Sequence, residues 1–216
     1  MKKARDIYES FLRELREQHP QTEPVMRAAI DAFDSIQAAK RTTERQLQAI
    51  VEAASDSRKM IFEIPVDFLD QLTEKHAEAC EAVSKMAVDK RSHIRFNAIM
   101  CIGKAAPLAF KLKLLRQGLH DKISKVRQKS ADWTGRLCLR ELVPALEVAV
   151  AMEKDAQTKA TMEYTLNSLK GGHTVKHESD GTVAVTKFTL NGGETRWFEK
   201  AEVDRRGIEA ILAEFA

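Results

Sequence analysis

The feature that most constrains this chain is a self-similarity at a fixed spacing of 32 residues. Ser92-His93-Ile94-Arg95-Phe96-Asn97-Ala98 lies over Ser124-Lys125-Val126-Arg127-Gln128-Lys129-Ser130. The same offset sets Asp89 over Asp121, Ile102 over Thr134 and Gly103 over Gly135. A further step reaches Ala156-Gln157-Thr158-Lys159, with Glu153 in the place of Asp89 and Leu166 below Ile102. A fixed period between roughly 20 and 50 residues marks stacked supersecondary units, each burying its apolar side against its neighbours.

Local patterning says what those units are made of. Only 9 Gly and 5 Pro interrupt 216 residues, so helices should dominate. Residues 4–18 carry Ile7, Tyr8, Phe11, Leu12 and Leu15 on one helical stripe, and His19-Pro20 ends it. A second helix is expected over 23–40, and a third after a Thr42 or Thr43 cap, stopping at Ser55-Asp56-Ser57. Residues 58–67 read differently. Met60, Phe62, Ile64, Val66 and Phe68 alternate around Pro65, which predicts an extended linker between an N-terminal helical segment (1–57) and the repeats (68–169).

After Leu169 the character changes. Gly171-Gly172 stops the last helix, and Ser179-Asp180-Gly181 between β-prone runs signals a hairpin. Asn191-Gly192-Gly193 predicts a second turn into Thr195-Arg196-Trp197-Phe198. Asp204 is then expected to cap a final helix bearing Ile208, Ile211, Leu212 and Phe215. Residues 170–216 thus form a meander plus a helix, serving either as a cap on the last repeat or as a separate binding module.

The repeating stretch resembles the HEAT-repeat family, including its short bilin-lyase-type variants. The resemblance rests on a turn acid, an aliphatic-Arg pair and small residues inside the second helix. Asp121, Val126-Arg127 and Ser130-Ala131 fit it, as do Asp89, Ile94-Arg95 and Ala98. Glu141-Leu142-Val143-Pro144-Ala145-Leu146 looks like the proline-containing first helix of such a repeat, and Thr158-Lys159 departs from the pair. The resemblance implies a mainly α fold: an α-solenoid of HEAT-like helix pairs, here closed by the small C-terminal β-meander plus helix. It also implies that Arg95 and Arg127 pair with Asp89 and Asp121 as a structural ladder. The first three helices stand either as a worn extra repeat or as an unrelated cap. The lyase activity is not implied, because fold does not fix function.

Charge places the expected surface. Between Lys85 and Arg140 stand 14 Lys and Arg against three acids, while the rest of the chain holds 21 basic and 29 acidic residues. So concentrated a charge creates a local field that suits an acidic protein partner or a nucleic-acid backbone. On the second helix of the middle repeat, Val126, Ser130, Trp133 and Leu137 are expected inward, leaving Lys125, Lys129, Asp132 and Arg136 outward. Shifted by one period, the outward set is His93, Asn97, Met100 and Lys104, or Gln157, Thr161, Tyr164 and Ser168. Second helices of solenoids line the concave side, so the candidate partner-binding residues are His93, Asn97, Lys104, Lys125, Lys129, Arg136 and Tyr164.

Chemistry-bearing motifs are sparse. His76 and Cys80 stand four apart without a second pair to complete a tetrahedral metal site, and His173 and His177 share a strand face with no ligand cluster nearby. No Gly-rich phosphate loop, GxSxG elbow or HExxH helix occurs. The reading is a binding scaffold rather than an enzyme, with no cofactor and no metal. Acids interrupt any apolar core after Met1-Lys2-Lys3, no run reaches the ~18 apolar residues of a membrane span, and three Cys make no disulfide framework. A cytoplasmic location without membrane contact is therefore expected, with the oligomeric state open.

Overall fold

Burial of apolar stripes organises the chain into twelve α-helices and one three-stranded antiparallel sheet among the described residues. The computed structural model describes residues 4–189 and 192–215. Two compact units divide it, Met1–Lys129 and Ser130–Ala216.

The first unit opens with α1 (Ala4–Gln18) and α2 (Glu23–Ala39), joined across His19-Pro20. Lys40, in the left-handed region at φ 52°, ends α2 and sends its N–H back to Ile36 O. A reciprocal capping box starts α3 (Glu44–Ala54): the Gln46 N–H donates to Thr43 Oγ1, and the Thr43 N–H donates to Gln46 Oε1.

The stretch expected to be an extended linker is a helix, α4 (Lys59–Thr73), with Pro65 inside it. Proline in a helix interior costs about 3 kcal/mol. Against that, Ile61, Phe62, Val66, Phe68, Leu69 and Leu72 are all buried along α4. Each such side chain contributes roughly 1.5–3 kcal/mol, so packing outweighs the lost hydrogen bond. Phe68 lies at the centre, stacked on Phe33 at 4.1 Å between ring centroids and met edge-on by Tyr8 at 5.9 Å.

Three further helices follow: α5 (Ala77–Met86), α6 (Ser92–Met100) and α7 (Leu108–Leu119), before α8 (Ser124–Arg136) begins. From α1 to α7 each helix packs on the next, and α2 packs also on α4, α3 on α5 and α4 on α6. Gly103, just past α6, admits a close approach: a Cβ there would stand 2.6 Å from Asp70 O.

On α8 the buried residues are Val126, Ser130, Ala131 and Thr134, while Trp133 and Leu137, expected inward, are half-buried. The inward face is rotated towards the side that carries Arg127, and Leu137 lies beyond the end of the helix.

The second unit takes the rest of α8, a 3-10 turn (Arg140–Leu142), α9 (Val143–Met152) and α10 (Ala156–Gly171). Asp155 caps α10 by accepting the Thr158 N–H at 2.8 Å. The sheet has order β1-β2-β3, with β1 (His173–His177), β2 (Thr182–Thr189) and β3 (Gly192–Glu199). Val175, Val185 and Arg196 share one row of the register, and Lys176, Ala184 and Trp197 the next. Asn191, the first residue of the second expected turn, lies outside the described residues together with Leu190.

Two short helices follow instead of one, α11 (Lys200–Arg206) and α12 (Ile208–Leu212). Gly207 at φ 78° breaks them apart, and Asp204, expected as a cap, sits inside α11 paired with Lys200. Val183 and Val185 of β2 pack against Val203, Ile211 and Phe215 to make a small separate core. Lys187 Nζ donates to Leu212 O and Phe215 O, satisfying carbonyls that the helix end leaves open.

Candidate interaction surfaces

The repeat is carried by its turns. Asp89 accepts the Arg91 N–H, Asp121 the Ile123 N–H and Glu153 the Asp155 N–H, at 2.8, 2.8 and 2.9 Å. A second helix begins three residues after each acid, at Ser92, Ser124 and Ala156. Asp56 does the same before α4, accepting the Arg58 N–H at 2.8 Å. Its side-chain pairing is also that of Asp89: Arg58 folds back onto Asp56 through Nε and Nη2, as Arg91 does onto Asp89. These arginines hold both carboxyls below the usual carboxylate range.

The turn between α3 and α4 thus shares the hydrogen-bonding plan of the later turns, in a stretch expected to be the end of an N-terminal segment and a linker. The signal was present: Asp56-Ser57-Arg58 precedes Asp89-Lys90-Arg91 by 33 residues. It was obscured because Phe62 replaces the arginine six residues past the acid.

Where that arginine is present it is structural. Arg95 donates from Nε and Nη2 to both oxygens of Asp121, at 2.6 and 2.9 Å. From Nη1 it donates to the Asp89 and Lys90 carbonyls of its own turn. The two side chains are only 8% and 10% exposed. Burial pushes the Asp121 carboxyl up, but Arg95 and the Ile123 N–H outweigh it and leave it lowered. Arg127 repeats the gesture towards its own turn, donating to Asp121 O at 2.7 Å.

The candidate partner-binding residues separate into three situations. Asn97 is not a surface group: it is buried and its amide donates to Ala54 O and Asp56 O, closing the end of α3. A helix face drawn from spacing alone could not show that the preceding turn packs on it. His93 and Lys129 are half-buried, and Lys129 is already engaged. Lys104 and Lys125 are exposed in the first unit. In the second unit Arg136 is exposed, paired with Asp132 and lying 5.9 Å over the Trp133 ring. Tyr164 is exposed there too, with its hydroxyl donating to Val175 O.

What remains of the basic field in the first unit is well defined. Lys104, Lys113, Arg116, Lys122 and Lys125 are exposed and form no ion pair among the described residues. They come from the turn after α6, from α7, and from the turn and first residues of α8.

A second surface was not foreseen. An open cavity of about 830 Å³ lies between α3 and α5, bounded by the start of α2 and the turns before α4 and α6. Its walls carry Glu44 and Glu52 from α3, and Glu78 and Glu81 from α5. All four are exposed and make no ion pair among the described residues.

Two of the three cysteines are engaged or enclosed. The Cys80 thiol donates to Thr73 O, and Cys101 is fully buried, which pushes its thiol well up. His76 is the residue before α5, and His173 Nδ1 contacts Gly171 O. Among the described residues no group of three or more His, Cys, Asp or Glu could hold a metal ion, and no helix is long and apolar enough to cross a membrane. Comparison with protein-family models, with curated proteins and with solved structures finds no match to this chain.

Proposed function

We propose that the chain is a non-enzymatic, HEAT-like α-solenoid scaffold that binds an acidic protein partner through the basic surface of its middle repeats. The observation that carries this reading is the set of five exposed, unpaired cations on the turn after α6, on α7 and at the start of α8. Support for the repeat architecture comes from the recurring turn acids and from helices that pack on the next but one within the first unit. Because Arg95 and Arg127 are consumed by the turns, exposed lysines supply the field, and long-range attraction of an acidic surface needs no more than that.

The test is fluorescence anisotropy with a labelled polyglutamate peptide and a labelled DNA duplex, at low and at physiological salt. We expect peptide binding that weakens at least about tenfold in the Lys113→Glu/Lys122→Glu/Lys125→Glu protein, with its helix content unchanged. Equal affinity in that variant would remove the surface assignment. Tighter binding of the duplex, with a steep salt slope lost in the variant, would transfer the surface to nucleic acid.

A further inference from the structure

The cavity between α3 and α5 has the opposite chemistry and calls for a different occupant. On α3, Glu44, Gln48 and Glu52 follow one another at four-residue steps along one face, with Val51 beside them. On α5, Glu78, Glu81, Ala82 and Lys85 line the facing wall. The two remaining acids, Asp56 and Asp89, are neutralised by Arg58 and Arg91. Two carboxylates on α3 and two on α5 therefore line one concavity with Lys85 as the lysine among them, and low-dielectric walls concentrate their field.

The interior of the cavity mixes polar side chains, among them Gln21, Thr42 and Ser55, with an apolar floor. Val25, Val51 and Ala82 are half-exposed within it, above fully or nearly fully buried Met26, Ile61 and Ile94. Its volume of about 830 Å³ is comparable to roughly two turns of a helix ~10 Å across. An apolar floor flanked by carboxylates on both walls matches one kind of ligand: a helix with an apolar stripe bordered by Lys and Arg. A small polycation such as spermine would satisfy the charges and leave the floor uncovered. An acidic peptide would be repelled.

We infer that the α3–α5 cavity is a docking groove for a basic amphipathic helix of a partner protein. This site is separate from the basic surface proposed above and opposite to it in sign.

The experiment is anisotropy on the full chain with a labelled Lys/Leu amphipathic peptide, about four turns long. A Glu/Leu counterpart and spermine serve as competitors. We expect the Lys/Leu peptide to bind, to resist spermine, and to lose at least about tenfold in affinity in Glu52→Lys/Glu78→Lys/Glu81→Lys. Val51→Asp should weaken it at high salt as well, which a purely electrostatic contact would not show. The Lys113→Glu/Lys122→Glu/Lys125→Glu protein should bind it as tightly as the parent chain, so failure here and failure of the scaffold reading are separate results.

Absence of binding, equal binding by the glutamate reversal, or full displacement by spermine would overturn the inference. So would salt-sensitive self-association abolished by either reversal, because the occupant would then be a second copy of this chain.

Discussion

The turns before α4 and α6 are built on the same plan and finished in different ways. Each has an aspartate accepting an N–H two residues on, and each folds an arginine back onto that aspartate. Six residues past the acid, however, the first has buried Phe62 and the second buried Arg95. Phe62 adds apolar area to the core and asks nothing of its neighbours. Arg95 must find four acceptors, and it finds them in two carbonyls of its own turn and the carboxylate of Asp121. The acid and its turn define the unit, whereas the residue inside the helix depends on whether the next turn supplies a carboxylate.

Removing that carboxylate should have the largest effect. Asp121→Ala leaves Arg95 buried without its counter-charge, and we expect a loss of about 3–5 kcal/mol in urea unfolding. Replacing both partners, as Arg95→Met with Asp121→Leu, should recover most of it and make the α6 turn resemble the α4 turn. A single-variant loss under about 1 kcal/mol would show that the two solutions are energetically equivalent.

Asn97 ties α6 to the turn before α4, because it sits on α6 and donates to the carbonyls of Ala54 and Asp56. Asn97→Ala strips one buried and one part-buried carbonyl of their donor and should cost about 1–3 kcal/mol. An unchanged unfolding midpoint would mean that other groups satisfy those carbonyls once the amide is gone.

The smallest expected effect sharpens the contrast in α4 itself. Asp70 is pushed up to about 6 by burial and by the neighbouring carboxylates of Asp67 and Glu74. A carboxyl raised in the folded state opposes folding above that pH, so the opposition fades as pH falls from 6 towards the ordinary carboxylate range. Asp70→Asn should therefore stabilise the protein at pH 8, on the order of 1 kcal/mol after allowing for its partial exposure, and should flatten the rise in stability as pH falls from about 7 to about 4. Parallel urea curves for variant and parent across that interval would contradict the assignment.

How much was legible can be argued from single residues. Ser92, Ser124 and Ala156, aligned by sequence, are the first residues of α6, α8 and α10. That held because a turn acid and the start of a helix are local chemistry, settled within a few residues. Met60, Phe62, Ile64 and Val66 misled in the other direction. Every second residue being apolar is the signature of a strand, yet the buried set on α4 runs through Ile61, Pro65, Leu69 and Leu72 at helical spacing. So dense a run of apolar residues satisfies both periods, and the neighbours α2, α3 and α6 decide which face is used.

The candidate surfaces show the same division. That Lys125 would be exposed followed from its place on the outward face of a helix at the expected spacing. That Asn97 would be covered did not, since its cover comes from a turn about 40 residues earlier in the chain. The acidic cavity was hidden for a related reason. Glu44 and Glu52 on one helix and Glu78 and Glu81 on another are ordinary solvated charges until α3 packs on α5 and makes them face a common space.

By itself, then, the sequence determined the turn acids and their 32-residue spacing, the helical character of most of the chain and the change to a three-stranded meander after α10. All of these rest on contacts between residues close along the chain. Only the tertiary structure decided that α4 is a helix despite Pro65, that Asn97 is a buried donor, and that four glutamates line one cavity. Each of those depends on which distant surface arrives beside the residue, and the free energy of burial or of unpaired charge is set by that neighbour rather than by the residue alone.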